Sequence, residues 1–405
     1  MMATSVDVVV VGAGVVGAAA ALALADSGFD VALIEREGPT RVRGALGFDP
    51  RAVALSPASR TLLAALGGWP DEGACTYQRM TVWDADGTGQ LSFAGSDLDP
   101  PAPALGYIVE LSALTTCLWR ALGLHPRVRL YAPAALTRLT IAPRGVDLAD
   151  GTHIKARVIV GADGANSLVR RLAGGQVRAR VTGQVAIAGV ARHELPHTAT
   201  AWQRFTPTGP LAFLPLPDPA GAAAEQRYSA IVWSCDVARG DELSALDDEQ
   251  FAGQLTTAFE ARLGRVLAVA PRVRVPLTQQ QAQRYQPRPG VVLIGDAAHV
   301  VHPLAGQGMN LGLRDMRVLT EVLSRAVDVP AALGEPALLE LYEARARTVN
   351  TLAIAFMAGI QGVFGDDRLL VRGARNQGLR LVERLPALKA QFALEAMGHG
   401  LLIAP

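Results

Sequence analysis

Three separated stretches carry residues whose types and spacing suit one elongated, partly anionic ligand. The first is Gly12, Gly14 and Gly17 in the pattern GxGxxG, followed by a carboxylate at Glu35. Glycines so spaced allow a tight turn, close approach of bare backbone to a pyrophosphate and packing of helix on strand, and the acid suits a ribose 2′-hydroxyl. This predicts an adenine dinucleotide without saying which one. Arg36 raises a 2′-phosphate reading that the adjacent Glu35 disfavours. The second stretch is VGADGANSLVRR, where Asp163-Gly164 makes an acidic turn past a strand and Asn166-Ser167 starts a helix. The third, VVLIGDAAHVVHPLAGQGMNLGLRD, sets Gly295-Asp296 at a strand end, so that the carboxylate can accept hydrogen bonds from ligand hydroxyls. Gly306, Gly308 and Asn310 then open a helix, whose bare N–H groups and dipole favour negative charge.

Other chemistry-bearing residues are less decisive. Arg43 and Arg51 flank a loop and read either as solvated arginines or as ligands of a phosphate or a flavin edge. His299 and His302 lack a third ligand nearby in sequence, so hydrogen-bonded loop histidines are expected there rather than a metal site. Cys75, Cys117 and Cys235 are far apart and odd in number, which predicts a reducing compartment, no disulfide framework and no cysteine metal site.

Strands must position these turns. Residues 6–12, VDVVVVG, form a β-branched run typical of a parallel sheet covered on both faces; an alanine-rich helix and a second strand, DVALIE, follow. Residues 78–93 read as a hairpin with turns at Asp86-Gly87 and Thr88-Gly89. Strands are expected at 128–131, 136–141, 146–148 and 154–160. From residue 177 to 275 alternating apolar strands predict one antiparallel sheet, in which Trp202, Phe205, Phe213 and Trp233 form either a packed face or the wall of an apolar pocket. The chain then turns helical. Glu340, Glu343, Arg345 and Arg347 read as a solvated face, and Arg368, Arg372 and Arg375 as a basic stripe on a helix over 366–385, either plain surface or a dock for an anionic partner.

With 405 residues, half of them hydrophobic and 19% charged, the chain is long enough for two domains with a sizeable core. A formal charge of +1 gives no reason to expect nucleic-acid binding. The opening MMATSVDVVVVGAG has no basic segment and reads as a strand rather than a secretory leader. The run TVNTLAIAFMAGIQGVFG is interrupted by Asn350, Gln361 and glycines and falls short of a membrane span. A soluble, cytoplasmic protein is expected, with peripheral contact to the inner membrane left open.

Taken together the three stretches resemble the class A flavoprotein aromatic hydroxylases, built like p-hydroxybenzoate hydroxylase, over nearly the whole chain. A narrower likeness, on VGADGANSLVR, GPLAFLPL, AHVVHPLAGQGMNLGLRD and LPALKAQFALEAMG, is to the hydroxylases of ubiquinone biosynthesis. The resemblance implies an α/β fold: a Rossmann-like, GR2-type FAD-binding domain (1–76, 105–176, 281–345), an inserted antiparallel-sheet substrate domain (77–104, 177–280) and C-terminal helices (346–405). It implies non-covalent FAD, NAD(P)H as transient reductant without a second Rossmann motif, and O2. A flavin C4a-hydroperoxide would hydroxylate a prenylated phenol or quinol. Under it Gly12, Gly14, Gly17, Glu35, Asp163, Gly164, Gly295 and Asp296 hold FAD. Backbone at Gly308, Met309 and Asn310 faces the anionic flavin edge, and Pro303 shapes its substrate side. Phe205, Phe213, Leu214 and Pro215 are the expected pocket lining. Rival readings are a hydroxylase of a small soluble phenol, a prenyl reductase, a halogenase (whose Trp-x-Trp-x-Ile-Pro segment is missing) and a non-catalytic FAD scaffold in a biosynthetic complex. Partners left open are the membrane, that complex and a second copy of the chain.

Overall fold

The computed structural model describes residues 4–40, 43–85, 89–219, 225–301, 306–364 and 368–398. Five strands form a parallel sheet in the order Val291–Leu293, Val158–Gly161, Val8–Val11, Val31–Ile34 and Val128–Tyr131. The first four are buried along their whole length, as their unbroken apolar runs require of a sheet covered on both faces. The alanine-rich helix Val15–Asp26 packs on this sheet and against helices Leu111–Leu124 and Gln307–Ser324; its small side chains let the neighbours approach closely. Gly12, Glu35, Asp163 and Asp296 all follow sheet strands directly, so the motifs collect at one carboxyl edge, where open parallel sheets bind ligands.

The strand expected over 154–160 is two strands in different sheets. His153–Lys155 joins Thr4–Ser5, Arg144–Leu148 and Leu136–Ile141, and Val158–Gly161 joins the parallel sheet. The break has a hydrogen-bonding cause: Ala156 N–H bonds Arg144 across the small sheet, whereas Arg157 and Val158 N–H both turn to the Asp7 carbonyl.

A larger sheet faces the carboxyl edge. Its order is His299–Val300, Val273–Ala282, Val177–His193, Tyr228–Asp236, Gly209–Pro215, Thr200–Thr206, Arg79–Asp84 and Gln90–Ala94, with Val266–Val269 beside Val177–His193. It is antiparallel as expected, except where Thr200–Thr206 runs parallel to Arg79–Asp84. The hairpin strands are present; their turn at Asp86-Gly87 and Thr88 lies outside the described residues. Because Arg79–Ala94 and residues 177–282 share this sheet, two remote stretches of chain build one unit.

The C-terminal helices Pro336–Phe364, Leu369–Glu383 and Pro386–Ala396 clasp both units, and two surface readings are corrected here. Arg375 is buried and donates both prongs of its guanidinium to Asp84, with further bonds to the carbonyls of Val363 and Phe364. Arg372 has no described side chain, so no solvated stripe is established. Glu343 is also buried, accepting from Arg284 Nε at 2.7 Å and Gln286 N–H at 2.9 Å, while Glu340 is exposed as expected. Charged residues misled in both places because their partners lie far off in sequence. No helix among the described residues is long and apolar enough to cross a membrane.

Candidate active site

The three fingerprint glycines differ in what surrounds them. A Cβ on Gly12 would lie 2.4 Å from the Ala162 carbonyl oxygen, and one on Gly17 would lie 2.0 Å from that of Gly12. Both are packed against backbone. Gly14 has nothing within 4 Å of its Cβ position and caps helix Val15–Asp26 without any side-chain hydrogen bond. Its helix therefore presents unsatisfied N–H groups and a positive dipole end to open space, a ready anion site. Glu35 sits beside it: Oε2 accepts from Ala13 N–H at 2.6 Å and Oε1 from Arg36 N–H at 2.7 Å. The acid thus ties the second strand's tip to the glycine loop.

Of the arginines, Arg36 and Arg43 are exposed. Arg51 is held by Asp49, whose Oδ1 lies 3.2 Å from Nε. Asp49 itself is fully buried and also accepts from the backbone of Arg51 and Ser112.

Asp163 does not offer its carboxylate freely. It accepts from Ser167 Oγ at 2.5 Å, Leu168 N–H at 2.6 Å and Val169 N–H at 3.0 Å, capping helix Leu168–Leu172. These bonds give the Asp163 carboxylate a turn-building role in the acidic turn, beside which Gly164 has open space at its Cβ position. Sequence reasoning missed Arg170. Its buried guanidinium bonds the Ala297 carbonyl at 2.7 Å and the Ala165 carbonyl at 2.8 Å, clamping the two acidic turns together.

Asp296 is exposed and its carboxylate finds no partner among the described residues, yet the protein around it strips away enough water to raise its pKa above the usual carboxylate value. A reachable, unpaired and partly desolvated acid is a ligand-binding group in waiting. His299 is buried and paired with Asp315. No set of three metal-ligating side chains occurs among the described residues, and His302 and Pro303 lie outside them.

Gly306 adopts the left-handed conformation (φ +62°) to start helix Gln307–Ser324, again without a side-chain cap, and a Cβ there would meet the Ala54 side chain at 2.7 Å. The Asn310 side chain is fully engaged: Oδ1 accepts from Ser56 N–H (2.9 Å) and Ser59 Oγ (2.7 Å), and Nδ2 donates to the carbonyls of Ala54 (3.1 Å) and Gly306 (3.3 Å). It stitches strand Ala52–Leu55 to the helix start, so only backbone at Gly308, Met309 and Asn310 is left for a ligand. Nothing in the sequence marked Ser56 and Ser59 for this job.

Over this edge the large sheet presents its inner face, and the expected pocket lining divides by strand parity. Leu214 looks inward, packing with Phe48, Ile108 and Ala54. Phe205 also looks inward, stacked on Phe364 of the C-terminal helix with ring centroids 3.7 Å apart. Phe213 is corrected: it points to the opposite face, 1% exposed, stacked 4.0 Å from Phe259 in a core with Leu211, Trp233 and Phe251 beneath helices Val237–Ala245 and Asp248–Ala258. Trp202 leans on the same core and Pro215 shares its parity. Four aromatics in neighbouring strands are therefore two faces rather than one wall.

These residues fit FAD: an open glycine cradle at one uncapped helix start, a ribose acid, an unpaired acid for the polyol and a second uncapped helix start for the anionic ring edge, all at one sheet edge beneath an apolar face. Such a site on such a fold defines an FAD-binding flavoprotein. Residues 5–357 match the FAD binding domain family. The chain is 39% identical over 396 residues to the ubiquinone hydroxylase UbiL of Rhodospirillum rubrum, covering 97% of this chain and 89% of that protein. It is 36% identical over 397 residues to the 3-demethoxyubiquinol 3-hydroxylase of Escherichia coli, covering 97% and 98%. Among solved structures, Pseudomonas aeruginosa PqsL, a probable FAD-dependent monooxygenase, aligns with a TM-score of 0.72 at 23% identity over 93% of this chain and all of that one. The p-nitrophenol 4-monooxygenase PnpA of Pseudomonas putida aligns with a TM-score of 0.74 at 17% identity over 98% and 99%; at these identities the likeness is one of fold. The chain belongs to the FAD binding domain family and stands with the ubiquinone-biosynthesis hydroxylases among the class A flavoproteins.

Proposed function

We propose that this enzyme hydroxylates the aromatic ring of a prenylated phenol or quinol intermediate of ubiquinone biosynthesis, using NAD(P)H and O2. The observation that carries this reading is the likeness, over 97% of this chain, to a ubiquinone hydroxylase and a 3-demethoxyubiquinol 3-hydroxylase. FAD, when bound, would supply the redox chemistry that activates O2 for oxygenation of an electron-rich ring. The chain's own residues do the rest. The helix start at Gly14 holds the pyrophosphate, Glu35 the ribose and Asp296 the ribityl hydroxyls. Backbone N–H groups at Gly308 to Asn310 stabilise negative charge on the ring edge. Leu214 and Phe205 on the inner sheet face keep water out and give the ring an apolar slot, in which a charged lining would cost desolvation. A prenyl tail calls for delivery from a bilayer, so peripheral contact with the inner membrane or a biosynthetic complex belongs to this reading.

Lipid profiling of a deletion strain tests it. Ubiquinone should fall and a prenylated intermediate lacking one ring hydroxyl should accumulate, with restoration by the wild-type gene. Unchanged quinones and intermediates would overturn the substrate assignment. Yellow, FAD-loaded protein that oxidises no NAD(P)H with any phenol would favour a scaffold role instead.

A further inference from the structure

We infer that Asp315 is a positioning residue of the cofactor site: through direct bonds to Gly295 and His299 it holds the turn that aims the Asp296 carboxylate. Asp315 is fully buried and His299 is 1% exposed. A carboxylate so placed is strongly unfavourable unless donors surround it, and three do. Its Oδ2 accepts from Gly295 N–H at 3.0 Å and from His299 Nε2 at 2.6 Å, and its Oδ1 from Asn350 Nδ2 at 2.8 Å. One oxygen thus ties both ends of the 295–299 turn.

The tie matters because it acts, beside the Arg170 guanidinium at the Ala297 carbonyl, on the turn whose backbone aims Asp296. Its carboxylate has no partner among the described residues, so the turn's backbone sets its direction. That turn starts at Gly295 in the left-handed region (φ +56°) and passes through the single 3-10 turn Gly295–Ala297 before His299 pairs with Gln281 in the large sheet. Helix Gln307–Ser324 lies hard against it: a Cβ on Gly312 would fall 3.2 Å from the Gly295 Cα, which brings Asp315, one helical turn on, within reach. The far side is closed by Tyr285, whose ring stacks on His299 at 6.0 Å and whose hydroxyl lies 3.3 Å from Asn350 Nδ2. The bonds join the turn that carries Asp296, which leads from the parallel sheet into the large sheet, to helix Gln307–Ser324 and to the C-terminal helix Pro336–Phe364. The inference rests on the FAD site and not on the choice of substrate.

The test is a pair of mutant cycles read as FAD affinity, by flavin-fluorescence titration of apoprotein with thermal unfolding run alongside. Asp315→Ala should weaken FAD binding by about tenfold or more. In an Asp296→Asn background the same change should alter affinity by less than about threefold, because the aimed group is already disabled. In a Glu35→Ala background, at the other end of the cofactor, the two losses should multiply. Should Asp315→Ala not fold, Asp315→Asn serves in the same cycles. It keeps one acceptor, and the Asn350 amide, whose Oδ1 lacks a partner, can turn to meet the new donor. Multiplicative losses in both backgrounds, or undiminished affinity in the folded Asp315 variants, would overturn the inference. Failure of wild-type apoprotein to take up FAD would instead strike at the cofactor site itself.

Discussion

Asp84 and Arg375 lie 291 positions apart and meet as a two-pronged ion pair, Nε to Oδ2 at 2.7 Å and Nη2 to Oδ1 at 3.0 Å, with both side chains at most 3% exposed. The pair fastens a C-terminal helix to the large sheet. Arg375→Ala would leave a carboxylate buried without its counter-charge, so a stability loss of about 3–5 kcal/mol is expected. Denaturant unfolding measures it; a loss below about 1 kcal/mol, the range of surface pairs, would mean that water reaches Asp84.

The unequal surroundings of Gly14 and Gly17 separate binding from folding. Gly14→Ala adds a methyl to open space at an ordinary φ of −65°, so the apoprotein should melt as the wild type does while FAD affinity drops. Gly17→Ala drives a methyl into the Gly12 carbonyl and should lower the melting temperature whether or not FAD is added. Equal FAD affinity of the Gly14 variant and wild type would move the pyrophosphate elsewhere.

Asp296 should show opposite effects on stability and binding. Partial desolvation by the surrounding protein raises its folded-state pKa, so the folded apoprotein holds this proton more tightly than the unfolded chain does. Stability is then lost as pH rises from the unfolded value, about 3.9, through the raised folded one. Asp296→Asn should therefore melt higher than wild-type apoprotein at neutral pH, match it in acid, and still bind FAD more weakly. Melting curves of apoprotein across that range would show it; a variant less stable at neutral pH would contradict the sign.

On the large sheet, neighbours Phe213 and Leu214 should behave as opposites. Phe213→Ala opens the helix-covered core and should cost about 3–5 kcal/mol in unfolding experiments. Leu214→Ala, half-buried on the inner face, should lower the melting point much less than Phe213→Ala does and raise KM for the aromatic substrate by roughly tenfold. The reverse pattern would place the substrate on the helix side of the sheet.

Local rules made part of this legible. Val8–Val11, the GxGxxG turn and Glu35 form one short βαβ unit, so spacing alone conveyed their arrangement. The parity of Phe213 and Leu214 is a local property too, but it says only that they oppose one another; the helices that claim Phe213 come later in the chain. Asp163 was legible as an acidic turn and illegible as a helix cap, since a ligand contact and a cap begin with the same dipeptide. Asp315, Asn310 and Arg375 were out of reach for a different reason. Each is a polar residue with partners from 16 to 291 positions away, and no periodicity records such a pairing.

The strand Val291–Leu293 has a consequence for how the protein is made. It forms the outer edge of the parallel sheet, beside Val158–Gly161, yet it is synthesised last of the five. The emerging chain therefore carries the glycine cradle and Glu35 long before the strand that ends at Asp296 exists, and closure must wait for a long-range parallel pairing, which is intrinsically slow. Until then the Val158–Gly161 edge, apolar and unpaired, is open to other chains. Nascent or truncated products ending before residue 291 should accordingly aggregate along that edge and depend on chaperones, even though every residue of the dinucleotide fingerprint is present in them.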